Sequence, residues 1–324
     1  MNASAPGKII LFGEHAVVYD KLGISCAVNL RTQVKVKESD KGFITCDKFP
    51  EIEYNQEILK EIEEKYNPII QNKEFSKLIQ APPHHSGLYL LSKIFKETGY
   101  KDLHIDITSN VLKNMGSSSA LFSALTAALT TKSKDEIATL ANQGDILAHG
   151  GTPSGIDAAT CTHGGFLTFK KSKGITKLNL KSHLPLIIID TETPSQTSTT
   201  VNRVKTLRDK NKIKIDLILE EINQISTEAI DTIKEENYAH VGQLMNENQE
   251  LLRQLQVSSE KIDTIINTLS KNPNIFGAKL TGGGGGGCII ALTKNQEEVI
   301  QNLKNKGIKS YKVNIDTEGV KRND

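Results

Sequence analysis

Residues 4–18 read Ser4-Ala-Pro-Gly-Lys8-Ile-Ile-Leu-Phe12-Gly-Glu14-His15-Ala-Val-Val18, and the rest of the chain is best understood outward from them. Four apolar residues, Ile9 to Phe12, lie between a lysine and an acid–histidine pair. Period-2 alternation predicts a strand over 8–12 with Lys8, Ile10 and Phe12 on one face and Ile9 and Leu11 on the other. Pro6-Gly7 and Gly13 are turn residues that punctuate its two ends. Such a strand would deliver a cation at its start and two polar side chains, Glu14 and His15, at its finish. An ordinary core strand with solvated ends fits these residues alone as well. Three motifs elsewhere in the chain, however, ask for the same chemistry.

The bulk numbers narrow the function classes. A chain of 324 residues has room for about two domains. Its 40 basic and 38 acidic residues leave a net charge of +2, which argues against a nucleic-acid partner. No apolar run approaches the ~20 residues of a membrane span, and a strand starting so early leaves no room for a signal peptide. Cys26, Cys46, Cys161 and Cys288 lack metal-type spacing, so reduced thiols in a cytoplasmic protein are expected and a zinc site is not.

Periodicity supplies the organisation. Strands are expected at 8–12, 24–30, 32–37 and 103–108, and helices at 83–97, from Gly116 to about Thr131, and at 134–148. In the last of these, Asp145 and His149 share a face four residues apart. After strands near 164–169 and 186–190 the texture changes to amphipathic helices at 213–233, 239–255 and 260–270, whose apolar stripes read as core. Strands return at 276–281, 288–292 and 310–315. Two α+β domains meeting near 170–185 account for this order, with Lys170–Gly174 as a linker or exposed turn.

Three further segments carry chemistry. Asn114-Met-Gly116-Ser117-Ser118-Ser119-Ala120 stands where a loop becomes a helix, and free N–H groups at a helix start can cradle phosphate, although serines there also serve as caps. His149-Gly-Gly-Thr-Pro-Ser-Gly-Ile-Asp157 forces a tight turn that presents a carboxylate able to orient or deprotonate a hydroxyl. Lys8, if adjacent, would keep that carboxylate ionised. Lys279-Leu-Thr281 runs into six glycines, Gly282–Gly287, between two strand-like segments. Close approach of the backbone to a ligand is the natural reason for such a run.

Together these segments resemble the GHMP small-molecule kinases, and residues 4–18 resemble the mevalonate kinases within that family. Galactokinases share Gly-Glu-His but continue with Thr-Asp-Tyr, where this chain has Ala16-Val17-Val18. The helix beginning Gly242-Gln-Leu-Met-Asn-Glu-Asn-Gln, followed by Phe276-Gly-Ala-Lys-Leu-Thr-Gly282, adds to the likeness, which covers residue 4 to about 293. It implies a two-domain α+β fold: an N-terminal ribosomal-protein-S5-like domain (1–172) and a C-terminal ferredoxin-like α/β sandwich (173–324), with the active site in the cleft between them. It implies ATP- and Mg²⁺-dependent phosphorylation of the 5-hydroxyl of mevalonate, with no nucleic-acid or membrane partner and with a homodimer left open. Lys8 and Asp157 would be the catalytic pair, and Glu14, His15, Thr197 and Gly283 would meet the acceptor. Lys113, Asn114, Gly116, Ser117, Ser118 and Ser119 would hold the nucleotide, and Ser118 and Asp145 the metal.

The chain departs from the family pattern in three places. The phosphate loop, usually Pro-x-x-x-Gly-Leu-Gly-Ser-Ser-Ala, reads Asn110-Val-Leu-Lys-Asn-Met-Gly-Ser-Ser-Ser, so Asn114 must take backbone angles that suit glycine. Asp145 replaces the usual metal-binding Glu, and the turn before Asp157 has an extra glycine. A relative acting on phosphomevalonate or another small hydroxy acid is an alternative. A catalytically silent metabolite-binding homologue is another.

Overall fold

The Ile9–Phe12 run lies inside a longer strand than its composition suggests. In the computed structural model, which describes residues 1–78, 80–151, 154–180 and 183–323, strand β1 spans Asn2–Phe12 and passes straight through Pro6-Gly7. The pair is a register break rather than a terminus: β1 pairs antiparallel with β2 (Gly23–Glu38), and the register shifts between Pro6 and Gly7. The two runs expected at 24–30 and 32–37 are therefore one strand, bulged opposite that shift. A second shift between Ile10 and Phe12 interrupts the simple alternation, so both Leu11 and Phe12 are fully buried.

The first sheet is ordered β12-β1-β2-β5-β3-β4, with β3 (Gly42–Cys46), β4 (Phe49–Tyr54), β5 (Leu103–Ser109) and β12 (Lys321–Asn323). β6 (Phe166–Lys170) adds to the start of β2 and carries β7 (Gly174–Leu178). Lys170 and Gly174 are themselves a paired position, so the expected linker is a hairpin turn. That hairpin straddles 172/173, and the next strand in sequence, β8 (Leu186–Asp190), belongs to the second sheet. The chain also returns. Asp316 donates its N–H to Ala27 and forms an ion pair with Arg31, and β12 pairs with Asn2–Ser4.

Helices α1 (Gln56–Gln71), α2 (Pro83–Thr98), α3 (Ser117–Leu129), α4 (Lys134–His149) and α5 (Ile156–His163) belong to this half. The start of α4 is fixed by a capping box between Ser133 and Glu136. The second sheet, β11-β8-β10-β9, is wholly antiparallel: β8 (Leu186–Asp190), β9 (Ile275–Thr281), β10 (Cys288–Thr293) and β11 (Ser310–Val313). With it go α6 (Thr197–Lys210), α7 (Lys212–Lys234), α8 (Tyr238–Gln254), α9 (Glu260–Leu269) and α10 (Gln296–Asn305). The apolar stripe of α7, including Ile215, Ile218 and Ile222, is buried as the spacing predicts.

Two buried clusters form the core. One gathers Ile9, Leu11, Phe12 and Ile24 with the interior of the second sheet, and the other fills the remainder of the first half. β1 thus packs into the core of the other half, which seats its C-terminal end at the junction of the two sheets. Among the described residues no helix is long and apolar enough to cross a membrane.

Candidate active site

Lys8 is placed by both its backbone and its side chain. Its N–H donates to the Met115 carbonyl at 2.8 Å, tying β1 to the 110–116 loop. Gly7 makes this approach feasible, because a Cβ there would lie 2.8 Å from Val111 Cγ1. The side chain then crosses Gly116 and brings Nζ to 2.9 Å from Asp157 Oδ1. Asp157 sits in the first turn of α5, after Gly155 in the left-handed region, and its carboxylate remains 29% exposed while Lys8 is only 8% exposed. The result is a salt bridge with one open side, able to receive a hydroxyl proton or orient a hydroxyl. Thr152 and Pro153 of the turn before Asp157, where the extra glycine was noted, lie outside the described residues.

Gly116 caps α3 at φ 68° with no side-chain hydrogen bond, leaving the first N–H groups of the helix available for an anion. Asn114 takes φ 69°, so asparagine does occupy the left-handed position where the family pattern has glycine. Ser117 and Ser118 are partly exposed at this helix start, and Lys113 is exposed beside it. Ser119 is set differently from its two neighbours. It is fully buried, and its hydroxyl donates to Asp145 Oδ2 at 2.5 Å, so its side chain serves the carboxylate rather than a phosphate. It lies one helical step past Ser118 and turns inward.

Asp145 is 1% exposed, and its Oδ1 has no hydrogen-bond partner. His149 Nε2 stands 3.6 Å from that oxygen, on the face the i,i+4 spacing predicted. Burial raises the Asp145 carboxyl pKa, opposed by His149 and Ser119, while hydrogen bonding to Asp145 raises that of His149. A buried carboxylate oxygen without a partner is costly unless a cation meets it.

Glu14 is also deeply buried, and the structure gives it a partner in the other half. Its Oε1 forms an ion pair with Lys279 of β9, which is itself completely buried and also donates to the Leu280 carbonyl at 2.8 Å. Burial pushes the Glu14 carboxyl up and the Lys279 ammonium down, each opposed by the other's charge. Glu14 lines a cavity with His15, its Oε1 ties the two halves together, and its Oε2 is buried without a hydrogen-bond partner among the described residues. Thr281 is a second clamp: its hydroxyl donates to the Ile10 carbonyl at 2.8 Å and accepts the Ile10 N–H at 3.0 Å. Nothing in the sequence marked Lys279 as an ionic partner, since it stands in a strand otherwise read as core.

His15 adopts φ 62° and its Nε2 lies 3.0 Å from the Gly283 carbonyl. Burial lowers its pKa to about 4, so the ring is neutral near pH 7. His15, Thr197 and Gly283 line one cavity of about 170 Å³ with Ile10, Ile24 and Val201. The glycine run has a more local cause than ligand approach. A Cβ at Gly283 would lie 2.3 Å from Thr197 Oγ1, at Gly284 2.2 Å from the Val257 carbonyl, and at Gly286 2.5 Å from that of Pro194. Only Gly282, at φ 84°, has open space around it. Gly287 comes against Asn114, bringing the run to the phosphate-loop side. A second, apolar cavity of about 560 Å³ opens beside Ser118, between β3–β4 and α2–α3, lined by Ile44, Phe49, His84, Leu121 and Phe122 among others.

The structure therefore joins Lys8, Asp157 and Gly116 directly, Ser119 with Asp145, and His15 with Gly283 and Thr197. Comparison with known proteins places the whole chain. Residues 58–165 match the GHMP kinases N terminal domain and residues 229–309 the GHMP kinases C terminal model. The chain is similar to a mevalonate kinase of Pyrococcus abyssi, 32% identical with 98% of this chain and 96% of that protein covered. It is similar also to one from Dictyostelium discoideum, 32% identical with 100% and 96% covered. The solved mevalonate kinase of Methanococcus jannaschii superimposes with a TM-score of 0.81 at 27% identity, covering 97% of this chain and 98% of that one.

Proposed function

The chain belongs to the GHMP kinase family, among its mevalonate kinases, and from that premise we propose how this cleft phosphorylates the 5-hydroxyl of mevalonate with ATP. The observation that carries the reading is the Lys8–Asp157 pair, 2.9 Å apart and open on the carboxylate side. Asp157 orients the acceptor hydroxyl and takes its proton as the bond to phosphorus forms. Lys8 holds the carboxylate in place and offsets charge at the transferring group. Phosphoryl transfer demands mainly alignment and charge neutralisation, which these groups supply.

The uncapped start of α3 receives the phosphates through backbone N–H groups, with Ser117 and Ser118 beside them. The apolar cavity next to Ser118 is of a size and character to take the base. His15, Thr197 and Gly283 border the acceptor. Mg²⁺ fits the donor set: a serine hydroxyl, Ser118, and the unpartnered buried oxygen of Asp145 are hard ligands. Among the described residues no three His, Cys, Asp or Glu side chains converge. Mg²⁺ needs no such cage, since it keeps several waters and shares substrate phosphates. When bound, the ion neutralises phosphate charge. We place the activity in the cytoplasm, where the four free cysteines stay reduced.

Purified protein given ATP, Mg²⁺ and a panel of alcohols tests this reading. Mevalonate should be the preferred acceptor, and Asp157→Asn should lower kcat by at least ~10³-fold while leaving ATP binding intact. Preference for phosphomevalonate, or an Asp157→Asn variant of undiminished rate, would overturn it.

A further inference from the structure

We propose that Thr200 is a positioning residue of the acceptor site: its hydroxyl fixes the Gly283 carbonyl, and through it the ring nitrogen that His15 presents to the substrate. The inference rests on reading the His15 cavity as the acceptor site.

The Gly283 carbonyl lies 3.0 Å from His15 Nε2 and accepts from Thr200 Oγ1 at 2.7 Å. Thr200, in the first turn of α6, is fully buried. A hydroxyl has a single proton to give, and two other carbonyls are within reach, Thr197 at 3.0 Å and Gln196 at 3.1 Å. The Gln196 carbonyl already accepts the Thr200 N–H at 2.9 Å. Gly283 offers the shortest contact, and among the described residues its carbonyl has only these two side-chain donors.

That carbonyl needs an external anchor. Gly282, Gly284 and Gly285 all hold positive φ, and a run without side chains does not by itself fix the direction of a peptide plane. Thr200 anchors it from the second half of the molecule, and His15 reads it from the first. A carbonyl oxygen carries no proton, so the nitrogen facing it must be Nε2–H. In a neutral ring Nδ1 is then the lone-pair acceptor. His15 can accordingly accept from an alcohol of the ligand but offers no cation to a carboxylate or phosphate. His15 also stands at φ 62°, a strained conformation for a side chain other than glycine, so it depends on this contact to hold its place.

Thr200→Val removes the hydroxyl and keeps the shape, and Thr200→Ser restores the hydroxyl. Steady-state kinetics on the full chain should show the mevalonate KM of Thr200→Val raised about tenfold, with kcat and the ATP KM within about twofold. Long-range ¹H–¹⁵N correlation spectra, with His15 assigned by comparison with His15→Asn, should show a single Nε2–H tautomer in the wild type and a mixture in Thr200→Val. Thr200→Ser should return both readouts to wild type. An unchanged mevalonate KM, equal losses in kcat and both KM values, an unchanged tautomer, or failure of the serine variant would each overturn the proposal. Should wild-type protein turn over no mevalonate, the substrate assignment fails, and the spectra still decide the role of Thr200.

Discussion

Replacing Gly116 with alanine probes whether the placement of Lys8 controls the chemistry. The new methyl would lie 2.8 Å from Lys8 Cγ and 3.2 Å from Cε, in a residue held at φ 68°. Left-handed backbone costs a residue other than glycine about 1–2 kcal/mol. Restoring ordinary contact requires the Lys8 stem to retreat by about 0.6 Å, and it is the middle of the side chain that must move, not its free end. Carried to Nζ, that retreat takes the 2.9 Å contact with Asp157 beyond hydrogen-bond length. Misplacement by about 1 Å can cost ~10²-fold in rate, so Gly116→Ala should lose about 10- to 100-fold in kcat. Urea unfolding should show a loss of about 1–2 kcal/mol. A coupled ADP-release assay reads the first quantity. Wild-type kcat accompanied by the expected loss of stability would refute the reasoning, because Lys8 would have moved without consequence.

Two other outcomes are expected. Lys279→Met strands Glu14 in the core and should destabilise the protein by about 3–5 kcal/mol, with Glu14→Gln/Lys279→Met recovering much of the loss. Because burial without the lysine raises the Glu14 pKa further, that loss should be greater at pH 8 than at pH 5 in chemical denaturation; a pH-independent loss argues against a buried unpaired carboxyl. His15 has the opposite dependence on pH. Its pKa falls from the ordinary 6.5 to about 4 in the fold, so the unfolded chain binds the extra proton between those values, and stability drops as pH falls through that window. The difference amounts to about 3 kcal/mol, and His15→Asn should flatten this part of the profile; an unchanged slope would show that His15 titrates normally.

The site was more legible in the sequence than the fold around it. Lys8, Asp157 and Gly116 were visible because glycines and charged residues interrupt apolar runs, and the α4 pair Asp145 and His149 because i,i+4 spacing places two side chains on one face. What stayed hidden has physical causes. β4 is almost entirely exposed and shows no alternation, and α6 buries only Thr200 and Val204, so neither has a stripe to read. α1 buries only Leu59, Ile62 and Tyr66 in a highly charged segment and contains Pro68. Pro6-Gly7 looked like a terminus because composition cannot separate a bulge from an end. The internal partners of Glu14 and Ser119 were hidden because a sequence names polar groups without saying which way they face. Lys279 and Thr200 reach the site only through tertiary pairing, across 265 residues to Glu14 and 83 to Gly283.

The return of residues 315–323 to the first sheet bears on how the enzyme is made. Lys321–Asn323 complete the edge of the strand that carries Lys8, and Asp316 locks Arg31 beside Ser4. A ribosome adding ~5–20 residues per second reaches them roughly 15–60 s after the first strand emerges. Through that interval β1 keeps an unpaired margin, open to wrong partners, and the first half is finished only once the second has been made. A nascent chain released before residue 315 should therefore be retained by chaperones even though nearly every residue of the active site has already been translated.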